Sequence, residues 1–262
     1  MEWQENAIYY TDFEPKKIMM EKIKEKVEEK DPILSYCLYS ISWQYEQMSD
    51  GSYKTEMTYK YYMSAEQRRK VEKMAEGMAE KLDGKTDFEK IKAVHDYIVL
   101  NCEYSLFHNG AYNCLFNGKA CCNGYALAFK MIMDECGIAC RYVESTDHAW
   151  NAVCLDGVFY NVDLTWADGQ DNTISYEYFL KSNADFPDHP GADATAFLSY
   201  DLEAAEKGLP QKQPSLTPFI LLLSKYWWAI IIFALLAVFV AAEVALAMKK
   251  EEKGDKRNNF TR

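Results

Sequence analysis

The feature that most restricts this chain is the dipeptide Asp156-Gly157 between two apolar-alternating runs. It suits a two-residue type I′ turn, which fixes the residues that face each other across the flanking strands. With that turn, Leu155 faces Val158, Trp150 faces Asp163 and His148 faces Thr165. Side chains alternate between the faces of a strand, so His148, Trp150, Asp163 and Thr165 share one face. His148 and Asp163 become diagonal neighbours, roughly 7–8 Å apart between backbone positions and within reach of a side-chain hydrogen bond. The opposite face, from Ala149 and Val153 to Tyr160 and Leu164, is mostly apolar and suits a core.

A second constraint comes from Gly118-Lys-Ala-Cys-Cys-Asn-Gly-Tyr-Ala126. After Cys122, the residues Ala126, Phe129, Ile132 and Met133 recur at helical spacing, and Gly137 is placed to end the helix. Cys122 therefore stands at or near a helix N-terminus. There the unpaired amides and the macrodipole favour a thiolate, and the same amides can donate to a developing oxyanion. Cysteine, histidine and carboxylate are the parts needed for covalent acyl chemistry. The plainer reading of Cys121 and Cys122 is a pair of buried core thiols.

The order Cys…His…Asp, with Gly-Tyr-Ala after Cys122, His148-Ala-Trp-Asn151 and Tyr160-Asn-Val-Asp-Leu-Thr-Trp166, resembles the transglutaminase-like superfamily. The resemblance covers about residues 86–190. It implies an α+β, papain-like core in which the helix bearing the nucleophile packs on an antiparallel sheet. It also implies a catalytic triad of Cys122, His148 and Asp163. The pattern of a cysteine, one variable residue and Gly-Tyr-Ala selects Cys122 over Cys121. Trp150, Tyr125 and Asn117 are candidate substrate-cleft residues. His189, in Asp-His-Pro, fits the resemblance as a structural residue. No metal or other cofactor is expected.

Composition narrows the partners. The formal charge of −11 argues against nucleic acid. No Gly-rich phosphate loop and no Ca²⁺-loop spacing is present. The eight cysteines form no C-x-x-C pair, and Cys136 and Cys140 have no histidine at finger spacing. A disulfide such as Cys102 with Cys114 stays open.

Five segments are expected. Residues 1–63 form a charged helix from Pro15 to Lys30 and a hairpin of Ile33–Glu46 with Tyr53–Met63, an added sheet or a covering layer. Residues 64–190 form the catalytic core, entered by helices with capping boxes at Ser64-Ala-Glu-Gln67 and Thr86-Asp-Phe-Glu89. His95, on the second helix, is read as structural. Tyr176 to Leu180 is expected as an edge strand or helix. Residues 191–225 read as a linker, 226–248 as a transmembrane helix and 249–262 as a basic tail.

The 23 residues from Tyr226 to Met248 contain one ionisable group, Glu243, and at about 1.5 Å per residue they span a bilayer core. Tyr226, Trp227 and Trp228 make an interfacial belt. Six Lys/Arg follow residue 248, which places the C-terminus in the cytoplasm and the catalytic domain outside. Residues 1–13 show no signal-peptide pattern, which is reconciled with an outside domain by an export signal that was omitted or mis-started; a tail-anchored orientation, with the domain inside, is the competing reading.

The expected activity is that of a membrane-anchored thiol enzyme acting on protein or peptide. Cys122 forms a thioester from a Gln carboxamide or peptide carbonyl, and an amine or water resolves it. The alternative is a catalytically idle surface module that binds peptide or cell-wall material.

Overall fold

The computed structural model describes residues 6–15, 17–169 and 173–211. They lie in a compact unit that runs to Gln213. The expected span at 226–248 and the tail at 249–262 lie outside the described residues. Among the described residues, no helix is long and apolar enough to cross a membrane.

Strand β1 (Asn6–Thr11) precedes helix α1 (Lys17–Lys30) and a short helix α2 (Pro32–Cys37). Helix α2 replaces the start of the strand expected from Ile33. Asp31 caps it by accepting from the Leu34 amide at 2.9 Å, and Pro32 stands in the first turn, where its missing N–H costs nothing. Strands β2 (Leu38–Gln47) and β3 (Tyr53–Tyr61) then pair antiparallel, and β1 adds to the other edge of β3.

Both capping boxes are formed. In α3 (Ala65–Lys81), Ser64 Oγ accepts from the Gln67 amide at 3.2 Å and Gln67 Oε1 accepts from the Ser64 amide at 2.8 Å. In α4 (Asp87–Asn101), Thr86 and Glu89 make the same exchange at 3.3 and 2.8 Å. Two-residue strands β4 (Glu103–Tyr104) and β5 (Lys119–Ala120) pair in parallel and tie the loop between them to the helix that follows.

That helix, α5 (Cys122–Glu135), is the centre of the fold. Every residue from Asn123 to Met133 is buried, so it is covered on all sides rather than along one stripe. It packs on α3, α4 and the sheet formed by β6 (Cys140–Glu144), β7 (Ala149–Leu155) and β8 (Val158–Val162). Lys130, on the helix, is tolerated in this interior because its ammonium donates to Asp134 at 2.9 Å and to the Cys140 carbonyl at 2.8 Å.

The expected register holds from Leu155↔Val158 to Asn151↔Val162. Asp156 and Gly157 both have positive φ, 54° and 77°, as the I′ turn requires. The apolar face is buried as anticipated. Beyond Val162 the strand stops, and Asp163 opens helix α6 (Leu164–Ala167), so Thr165 lies on a helix rather than opposite His148.

The segment 176–181, expected as a strand or helix, runs as turns along the free edge of β8. Asn161 and Lys181 exchange backbone bonds of 2.8 and 2.9 Å, and the Asp163 amide donates to the Tyr178 carbonyl at 2.9 Å. Residues 191–211 are not a linker. Thr195 and Ala196 amides bond the Phe159 carbonyl, Ala196 is buried, and α7 (Leu202–Glu206) follows with an Asp201 cap.

Candidate active site

Residue 121 is the N-cap of α5, and Cys122 is its first helical residue. The loop before the helix is fastened to it from two sides. The Cys121 amide donates to the His108 carbonyl at 2.8 Å, and Asn123 Oδ1 accepts from the Gly110 amide at 2.9 Å. Gly124 makes this approach feasible, since a Cβ there would stand 2.7 Å from Ala120 Cβ and 2.9 Å from the Gly110 oxygen.

His148, just before β7, directs Nε2 at Asp163 Oδ2, 2.7 Å away. Its other side faces the Cys122 thiol, close enough for ring and thiol to shift each other's titration. With Nε2 spent on the carboxylate, Nδ1 is the nitrogen left to face sulfur. The ring lies between two indoles, Trp150 at 5.8 Å and 25° and Trp166 at 5.6 Å and 29°. Burial opposes charge on His148, but the bonds to Asp163 and Cys122 outweigh it and raise the ring to about 9.

Asp163 is fully buried and saturated with donors. Oδ1 accepts from the Thr165 and Trp166 amides at 2.8 and 3.2 Å. Oδ2 accepts from His148 and also from His189 Nε2 at 2.8 Å. Burial works against ionisation, yet these bonds hold the carboxyl below its usual range. Cys122, His148 and Asp163, assigned from the resemblance, are therefore brought together by three separate elements.

The Cys121 thiol donates to Asn109 Oδ1 at 3.0 Å and to Asn123 Oδ1 at 3.4 Å. Cys121 is lowered to about 6, first by Cys122 and then, against burial, by the Asn123 and Gly124 amides. Cys122 is raised to about 12 by Cys121 and by burial, while His148 pulls it down. The two thiols therefore titrate as a pair rather than singly, and the helix N-terminus favours a charge on either. Cys122 is the member that touches the imidazole.

A cavity of about 380 Å³ opens over Cys121, Cys122 and His148. Tyr36, Leu38, Tyr39 and Tyr62 form part of its wall, so the base of the N-terminal sheet borders the cleft. Glu28, Glu144 and Asp147 also line it.

The other expected cleft residues lie elsewhere. Trp150 is buried beneath His148, and Tyr125 is buried with its hydroxyl donating to Asp168 at 2.6 Å. Asn117 is exposed and bonded to Asn113 at 2.6 Å. Trp166, half-exposed over His148, is the aromatic that sequence reasoning passed over; its place three residues after the His-facing aspartate was the available signal. His95 is buried against Phe179, with Nδ1 2.9 Å from Asp96 Oδ1. Cys102 and Cys114 are free, buried thiols.

His148, Asp163 and His189 bring potential ligand atoms within 4.8 Å of one another. Here both nitrogens address one carboxylate oxygen as donors, which leaves no lone pairs turned toward a cation.

A thiol at a helix N-terminus, an imidazole against it and a buried carboxylate behind define a Cys-His-Asp site on an α+β core. Residues 72–164 match the family model of the transglutaminase-like superfamily, so the chain carries a domain of that kind over this segment. It is 30% identical over 130 residues to the kyphoscoliosis peptidases of Homo sapiens and Mus musculus. The match takes in 40% of this chain and 20% of each relative, so the chain spans about a fifth of their length. The solved structure of a TGase is similar over 67% of this chain and 55% of its own, with 12% identity and a TM-score of 0.38.

Proposed function

We propose that the chain is a thiol enzyme of acyl transfer, acting on a Gln carboxamide or a peptide carbonyl. The observation that carries this is Cys122 and His148 side by side in the wall of an open cavity, with the buried Asp163 bonded to His148 at 2.7 Å behind them. Cys122 sulfur attacks the carbonyl carbon. His148 then gives its Nδ1 proton to the leaving nitrogen, and the bond to that nitrogen breaks, leaving a thioester. Asp163 holds the ring and stabilises its imidazolium. The Cys122 amide, which the helix leaves unpaired at its first position, is available to the oxyanion.

Resolution of the thioester repeats the step in reverse, with His148 taking a proton from an amine or from water. An amine gives cross-linking and water gives hydrolysis. The similarity to a peptidase supports the second route, although it reaches only a fifth of that relative's length. Residues 226–248 are assigned to the bilayer, with the catalytic domain extracytoplasmic; extraction of the protein only by detergent, and not by alkaline carbonate, tests that assignment.

The test of activity is incubation with a Gln-bearing protein, with and without a primary amine. Amine incorporation identifies a transferase, whereas new termini or ammonia alone identify a hydrolase. Either product should vanish in Cys122→Ala. Peptide binding without any product from the wild type would instead indicate the idle module.

A further inference from the structure

Asp163 Oδ2 serves two histidines, and the proposed reaction uses one of them. His189 lies 26 residues further on, buried, with Nε2 2.8 Å from the same oxygen that His148 occupies at 2.7 Å. Its ring is walled by Phe186 at 3.8 Å, Trp166 at 4.5 Å and Trp150 at 4.9 Å. His189 Nδ1 is buried and has no hydrogen-bond partner. A bare nitrogen in an aromatic box is tolerable as a lone pair and costly as an N–H, so the network assigns the proton to Nε2. A fixed N–H therefore points at the carboxylate oxygen that holds the catalytic imidazole.

We infer that His189 is a positioning residue that moderates the Asp163–His148 pair by donating a second hydrogen bond to the shared oxygen. The inference rests on the thiol-enzyme reading given above. A carboxylate oxygen with two donors is a weaker acceptor for each of them. His189 thereby limits how firmly Asp163 holds the imidazolium, and keeps His148 able to release its proton to the leaving group. Packing alone does not account for this, because an apolar ring would fill the same box without presenting an N–H to Oδ2.

The groups facing the pair are Cys122 with its neighbour Cys121 on α5, His95 on α4, and Tyr178 in the segment that carries His189. His189 is the one of these, besides His148, that donates to Oδ2.

The test compares wild type, His189→Phe and His189→Gln by NMR titration of His148 in histidine-labelled protein, with Cys122 alkylation by iodoacetamide run alongside. Phe keeps the ring and removes the donor, whereas Gln places an amide N–H near the position of Nε2. With one donor lost, Oδ2 should grip the imidazolium harder, and His148 should titrate about one pH unit higher in His189→Phe. His189→Gln should restore the wild-type titration. Simple loss of packing would loosen the His148–Asp163 bond and move the titration the other way. Should His189→Phe fail to fold, His189→Met supplies the donorless variant.

An unchanged or lowered His148 titration in the donorless variant, or a shift in His189→Gln equal to it, overturns the inference. Failure of the enzyme reading is seen separately, as slow and unselective alkylation of Cys122 in the wild type.

Discussion

Two hairpins in this chain turn on the same dipeptide, and they come to opposite ends. Asp156-Gly157 joins β7 to β8 by a two-residue turn, whereas Asp50-Gly51 sits in a wider turn closed by Met48 and Ser52 at 2.8 Å. In β7–β8 the apolar face meets α5 and the other face is roofed by residues 176–200, so Trp150, Asn151, Asn161 and Asp163 are all buried. In β2–β3 much of the surface stays open, with Tyr39, Trp43 and Tyr45 exposed. Turn chemistry sets register in both; cover from elsewhere in the chain decides which one carries the candidate site. A carboxylate buried in the roofed hairpin needs donors, and four converge on Asp163, whereas Trp150 Nε1 and Asn151 Oδ1 in the same hairpin have no partner.

The comparison breaks most clearly at Asp163. Asp163→Ala strands His148 Nε2, His189 Nε2 and two amides, and should cost about 3–5 kcal/mol in urea unfolding together with the activity. Retention of wild-type stability would mean that the network is not holding this hairpin. Next in size, Leu155→Ala, 2% exposed in β7, should lose about 2–4 kcal/mol. Ile8→Ala, 57% exposed in β1, should stay within about 0.5 kcal/mol. Equal losses would erase the distinction between the two sheets.

A pH series sharpens it further. His148 is raised from its ordinary 6.5 to about 9 in the folded state. A group raised on folding stabilises fully below its unfolded value and loses that contribution as pH climbs through its folded one. The stability of wild type over His148→Gln should therefore shrink between pH 6.5 and about 9, by on the order of 2 kcal/mol. No histidine lies in β2–β3, so that hairpin contributes no counterpart. A difference that stays flat over this range contradicts the proposed bonding.

The smallest effect separates the turns. Gly51 and Gly157 have φ of 87° and 77°, and Ala at either should cost about 1 kcal/mol. Only Gly157→Ala should also slow alkylation of Cys122, because it disturbs the register that aligns His148 with Asp163.

What could be read beforehand was what is local. The capping residues Ser64 and Thr86, the limits of α5 and the pairing from Leu155 to Asn151 depend on neighbours a few positions apart, and each is a matter of spacing. The His148–Asp163 contact was legible for the same reason, since one tight turn relates the two. What stayed hidden depends on distant cover. Nothing near Asn6 announces that it joins β3. Asp31-Pro32 converted an apparent strand start into α2. Residues 191–211 look like a linker because of Gly191 and Pro210, while the bonds of Thr195 and Ala196 to the distant Phe159 carbonyl leave no local signal. Tyr125 fits a cleft by sequence position, but its helix is buried all round. His189 meets Asp163 from 26 residues away along the chain, a contact that no periodicity encodes.

The most direct test of the Cys122–His148 pairing is the alkylation rate of Cys122 at pH 7 in wild type and in His148→Ala. With the imidazolium sustaining the thiolate, the wild type should react fast and selectively, and the variant at least tenfold more slowly. Equal rates, or a reaction falling mainly on Cys121, would show that the helix end alone governs the charge and that the imidazole has no hold on the nucleophile.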